Sequence, residues 1–295
     1  MGTAARLSGY LAVLALLFGV AWWVGAATGE PGTLPADTVA AGAGHGHPGG
    51  HIESSATVDS AGVLASAAGY TLVPQGTTTF LPGTPAELAF TVSGSDGQPV
   101  TAFDVDHERL LHLVVVRRDA AGFQHLHPAL GPDGVWRVPL TLPAAGVYRA
   151  YADFVPTGGP PLVLGVDLFA PGDFAPIAFP PSRVAEVDGY QVRLDGELVP
   201  GGPSQVFATV SLNGAAVTDL EPYLGAFGHL VVLRQSDLAY LHVHPDAAPP
   251  GPADRSGPGV AFTAEVPTPG GYRLFFDFQH GGVVRTTEFT VGAGR

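Results

Sequence analysis

The chain has 295 residues, 46% hydrophobic and only 13% charged, with a formal net charge of −13. That length leaves room for about two domains of ~100–200 residues each, and the acidic balance argues against nucleic acid as a partner, because the surface repels phosphate backbones. There is no cysteine, and Met1 is the only methionine, so disulfides, thiolate or thioether metal sites, thiol catalysis and a blue-copper centre are all excluded.

Glycine (41) and proline (28) are abundant, which disfavours helices and points to a turn-rich all-β protein. The first segment is the exception. Leu7–Ala27, LSGYLAVLALLFGVAWWVGAA, carries no charge and is long enough to span a bilayer as a helix. Arg6 precedes it and Glu30 and Asp37 follow, which places the bulk of the chain outside the cytoplasm, and Trp22 and Trp23 fall where an aromatic belt would lie. Gly25–Ala27 also suits a signal peptidase, so residues 1–27 read as a membrane anchor or a signal peptide. Either way the protein is expected to be extracytoplasmic, anchored to the cytoplasmic membrane or secreted.

Residues 28–67 are rich in Gly, Ala, Ser, Thr and Pro and read as a flexible linker. Within it GHGHPGGH supplies His45, His47 and His51, a tract that can hold metal loosely or serve as a solvated spacer.

The rest of the chain repeats itself. AGYTLVPQGTTTFLPGTPAELAFTVSGSDGQPVT (Ala68–Thr101) follows the pattern of DGYQVRLDGELVPGGPSQVFATVSLNGAAVTDL (Asp188–Leu220). HLVVVRRDAAGFQHLHP (His112–Pro128) aligns without a gap to HLVVLRQSDLAYLHVHP (His229–Pro245), and AAGVYRAYADF (Ala144–Phe154) to PGGYRLFFDF (Pro269–Phe278). Short, β-branched, turn-bounded segments in units of ~100 residues predict two tandem immunoglobulin-like β-sandwich domains, at 68–171 and 188–295, separated by a Pro-rich joint at 172–187. Gly146–Tyr148 and Gly270–Tyr272 resemble the tyrosine corner of such sandwiches.

Three histidines keep equivalent places in both units: His112, His125 and His127, then His229, His242 and His244. Residues i and i+2 of a strand share a face, so each His-x-His offers two adjacent imidazoles. If Asp119 pairs with Gly122 in the hairpin turn, Val116 faces His125, Val114 faces His127, and His112 lies diagonal to His127 on the same sheet face. Imidazole suits Cu(II), Zn and Ni, and three histidines with an open position describe a solvent-accessible metal site. In DVDHERLLH the first unit adds His107 as a candidate fourth ligand, with Asp104, Asp106 and Glu108 nearby. Architectural histidines that pin a turn are the competing reading. The repeated Asp153 and Asp277 read as intra-strand partners of Arg149 and Arg273, four residues earlier.

HLVVVRRDAAGFQHLHP, VPLTLPAAGVYRAYADF, PYLGAFGHLVVLRQSDLAYLHVHP and YRLFFDFQHGGVVRTTEFTV resemble a group of exported actinobacterial proteins described as secreted or heavy-metal-associated. These have an N-terminal membrane segment, a His/Gly-rich linker and two β domains. LPAAGVYRAYADF is also similar to one strand of the CopC-like copper-resistance sandwich. Both resemblances imply exported metal handling, with copper favoured and zinc possible as the bound divalent ion. No Ser-His-Asp elbow, catalytic carboxylate pair or phosphate loop stands out, so a non-enzymatic metal-binding protein is expected, with a non-catalytic structural or interaction module as the alternative.

Overall fold

A computed structural model describes residues 61–241 and 243–294. They form two β-sandwiches in tandem. In the first, one sheet runs in the order Ser66–Ala67, Tyr70–Gln75, Ala86–Ser93, Trp136–Leu140, Ala129–Leu130. The facing sheet runs Leu162–Ala170, Gly146–Pro156, Leu111–Arg117, Gln124–Leu126, with Phe103–Asp104 also paired to Gly146–Pro156. The second sandwich repeats this. Its sheets are Val184–Val187, Tyr190–Asp195, Gly202–Leu212, Gly259–Val266, Val243–Pro245, and Tyr240–Leu241, His229–Arg234, Gly270–His280, Val283–Ala293.

Alternation drives the layering. Tyr190–Asp195 alternates buried and exposed residues along its length, as a strand with one wet face must. Leu111–Arg117 and the middle of Gly270–His280 instead bury nearly every residue, so these strands are covered on both faces. One face lies in the core of its own sandwich: Trp136, Phe90, Phe103 and Phe154 in the first, Phe262, Phe276, Phe278 and Phe289 in the second. The other face meets the opposite repeat. Val114, Val116 and Tyr151 pack with Val231, Leu233, Leu238, Tyr240 and Phe275 in a third cluster. Phe123 stacks on Phe275 with ring centroids 4.0 Å apart, and the Tyr151 hydroxyl donates to the Leu238 carbonyl at 2.6 Å. The two sandwiches therefore join sheet to sheet through an apolar interface.

The tyrosine corners form in both repeats. The Tyr148 hydroxyl donates to the Ala144 carbonyl at 2.8 Å, and that of Tyr272 to the Thr268 carbonyl at 2.6 Å. Both close a loop onto the backbone four residues upstream.

Two expected boundaries shift. The stretch 61–67, read as the end of the linker, is pinned to the fold. Tyr240 N–H donates to the Ala61 carbonyl, Gly62 N–H to that of Val163 and Gly165 N–H to that of Leu64, while Arg149 Nε reaches the Gly62 carbonyl. Its backbone polar groups complete ladders that side-chain composition does not reveal. Similarly, Val184–Val187, read as part of the joint, is a strand of the second sandwich in register with Tyr190–Arg193. Leu7–Ala27 and the histidines at 45, 47 and 51 lie outside the described residues, as does His242. Among the described residues no helix is long and apolar enough to cross a membrane.

Candidate metal centre

The strand Leu111–Arg117 carries His112, and the following hairpin returns as Gln124–Leu126. The observed register pairs Leu113 with Leu126, Val114 with His125 and Val115 with Gln124. This differs from the expected register by two residues. The turn is wider than Asp119–Gly122: Arg117 N–H donates to the Ala121 carbonyl, and Asp119 is drawn into a two-bond pair with the Arg117 guanidinium at 2.8 and 2.7 Å. A shift of two keeps every side chain on its face. It also moves His112 from the diagonal to the position directly opposite His127.

The three rings converge. Centroid separations are 5.3 Å for His112–His125, 5.1 Å for His112–His127 and 5.0 Å for His125–His127. One nitrogen from each lies within 4.8 Å of the others. Four imidazoles around a tetrahedral ion, with metal–nitrogen bonds of ~2.0–2.1 Å, would hold their centroids roughly 5 Å apart.

The outer nitrogens of two rings are already engaged. His112 Nε2 lies 3.2 Å from the Asp106 carbonyl oxygen, which can only accept, so Nε2 carries the proton. His125 Nδ1 lies 2.8 Å from Asp277 Oδ2 and donates to that carboxylate. The inner nitrogens, His112 Nδ1 and His125 Nε2, then face each other at 3.1 Å. In two neutral rings these are both lone pairs. Such a contact needs a cation between or beside them, either an added proton or a metal ion. His127 Nε2 is buried and has no hydrogen-bond partner among the described residues.

Burial, then the neighbouring His125, lowers His112 to about 2, and the same causes in the same order lower His127 to about 4. Both are neutral at pH 7, the form that binds metal.

The second repeat contributes differently from expectation. His229 turns towards the first repeat's histidines, and His244 lies on a different sheet. The His229 ring centroid is 6.3 Å from that of His112, 6.2 Å from His125 and 5.0 Å from His107. Its hairpin has the equivalent register, Val232 opposite Leu241, but the chain crosses to the other sheet sooner. Val243–Pro245 already pairs with Gly259–Val266, which places His244 opposite Thr263, exposed and on a different sheet from His229. His107 sits at the rim. It and Glu108 occupy a tight turn with φ of 44° and 62°, its ring 6.2 Å from His112. It is not part of the converging group.

The two aspartates are not intra-strand partners of arginine. Four residues along a strand span ~13 Å, too far for that pairing. Arg149 instead pairs across the ladder with Asp167 at 2.8 Å, and Arg273 with Glu288. Asp277, freed from Arg273, reaches across the repeat interface to His125 and accepts from Thr286 Oγ1 at 2.5 Å. Asp153 is opposite His112 in register, as Asp277 is opposite His229. Burial, with the nearby charge of Asp106, raises its carboxyl to about 7. The sequence did carry the signal: each repeat keeps an aspartate on the strand that pairs with its first histidine.

No match was found among curated proteins. Solved structures similar to the chain include Salmonella alpha-2-macroglobulin (17% identity, 77% of this chain and 15% of that one, TM-score 0.27). Others are domains 4 and 5 of the S-layer protein SbsC (10%, 77% and 98%, 0.25) and invasin, a bacterial integrin-binding protein (15%, 75% and 39%, 0.21). The chain spans only 15% of the alpha-2-macroglobulin it matches, and TM-scores this low carry no argument. A family model does match, at residues 65–163 and again at 185–294. Those two spans lie within the two sandwiches and take in more than half of the sequence: the chain belongs to the family described as Domain of unknown function (DUF8832), which it carries twice.

Proposed function

We propose that this is an exported, non-catalytic metal-binding protein that holds one divalent ion through His112, His125 and His127, copper in preference to zinc. The observation that carries the reading is the face-to-face contact of His112 Nδ1 and His125 Nε2 at 3.1 Å, with the outer nitrogen of each ring already committed. A tetrahedral site with ~2.0–2.1 Å bonds has nitrogen–nitrogen edges of roughly 3.3 Å, close to that contact. The partnerless His127 Nε2 adds the third donor. An all-nitrogen donor set follows the divalent affinity order, in which Cu(II) exceeds Zn(II). The uncharged Leu7–Ala27 run after Arg6 supports a place outside the cytoplasmic membrane, tethered or released, where the protein would buffer the ion.

A second reading has its own support: an added proton between the two facing nitrogens would satisfy the same contact and leave the cluster purely architectural. The two separate in a chelator-stripped sample. Under the metal reading, Cu(II) or Zn(II) at 100 times the dissociation constant stabilises the native state by about 2.7 kcal/mol. That gain disappears in the variant His125→Ala/His127→Ala. A thermal midpoint indifferent to both ions, or a shift that survives the double substitution, would favour the architectural reading.

A further inference from the structure

We infer that the metal site belongs to both repeats at once: His229 of the second repeat closes the coordination as a fourth nitrogen ligand, and Asp277 orients His125, so that one ion per chain fastens the two sandwiches together. This rests on the three-histidine reading above and goes beyond it in stoichiometry, donor number and consequence.

His229 is prepared for the role in the same way as His112. Its Nε2 donates to a backbone carbonyl, that of Leu224 at 2.9 Å, which leaves the Nδ1 lone pair free. The turn supplying that carbonyl, Tyr223–Ala226, matches the turn Asp106–Arg109 that supplies the acceptor for His112. Both repeats thus present their first histidine as an Nδ1 donor. The His229 centroid is about 1 Å beyond the roughly 5 Å spacing of a tetrahedral four-imidazole site, so the ring stands outside the group formed by His112, His125 and His127 and must move inward by about that much to ligate.

Asp277 supplies the second tie. Ligating histidines usually donate their other ring N–H to a carboxylate or carbonyl, which fixes the tautomer and the ring. His125 makes that bond to the opposite repeat, with side chains 7% and 3% exposed. The apolar contact around it, from Val114 and Tyr151 to Leu233 and Phe275, brings the two faces together in one arrangement. The second repeat spends its first histidine on this shared site and moves His244 to another sheet. A second, equal site is therefore not expected.

The test uses the full chain with His45, His47 and His51 replaced by alanine, so that the linker cannot bind. Cu(II) titration should give one tight ion per chain, and the electron paramagnetic resonance spectrum should show hyperfine coupling to four imidazole nitrogens. His229→Ala should weaken binding at least about 100-fold, the upper end of what loss of an orienting partner costs, and leave three nitrogens. If His229→Ala fails to fold, the nitrogen count in the parent protein decides. Tight binding with three nitrogens, an unchanged affinity in His229→Ala, or two equal ions per chain would each overturn the shared site and leave the three-histidine reading standing. No tight ion at all would overturn both.

Discussion

Acidification of the metal-free protein tests the buried histidines directly. His112, His127 and His229 are neutral in the fold because burial holds their pKa values at about 2, 4 and 4, whereas in the unfolded chain each titrates near ~6.5. Such a group binds fewer protons when folded. Its contribution to stability is therefore present above ~6.5 and is lost as pH falls below it. Between pH 7 and pH 5 each histidine removes about 2 kcal/mol, about 6 kcal/mol for the three. Asp153 acts in the opposite direction. Raised to about 7, it takes up its proton first in the folded state and returns about 2 kcal/mol over the same interval. The net loss is about 4 kcal/mol, large against the ~5–15 kcal/mol of a typical fold. Urea denaturation in chelator at pH 7 and pH 5, followed by far-ultraviolet circular dichroism, measures it. Equal stability at the two pH values, or greater stability at pH 5, would refute the account of a neutral, buried cluster.

Three further outcomes are expected. Asp277→Asn should weaken Cu(II) or Zn(II) binding about 10–100-fold without changing stoichiometry, as loss of an outer-shell carboxylate does; calorimetric titration checks it. Tyr148→Phe and Tyr272→Phe should each cost about 1 kcal/mol in denaturant titration, the net worth of one hydrogen bond. Phe123→Ala removes the stack on Phe275 and should cost about 2 kcal/mol, below the ~3–5 of a fully buried phenylalanine because Phe123 is half-buried. Its effect should appear as weakened protection of interface amides such as that of Tyr240, with the cores around Trp136 and Phe276 unaffected by hydrogen exchange.

Much of the sandwich was legible because it rests on local rules. Alternation along Tyr190–Asp195, the Gly-x-Tyr corners and the spacing of the two units each report on a neighbourhood of a few residues. The convergence of His112, His125 and His127 was legible for a narrower reason. Strand parity survives a register error of two, so a wrong turn at Asp119 still left all three on one face. What could not be read was anything that depends on the face turned away from each core. Within Leu111–Arg117, Leu113–Val116 reads as a continuous apolar run, and such a run does not say what covers its second side.

That hidden side also gives the internal repeat a second meaning. Sequence symmetry between the units predicts two like sites, but two domains packed face to face can bring equivalent histidines into one place. There the copies need not do the same work. His112 and His229 keep equivalent register positions, each opposite an aspartate, on strands whose outer faces meet. Asp277 then finds His125 of the other repeat closer than any arginine of its own strand. The second repeat leaves the pattern at His244, which is exposed and lies opposite Thr263 on a different sheet from His229. Repetition in the chain marks which residues matter; the packing between the copies decides with whom they act.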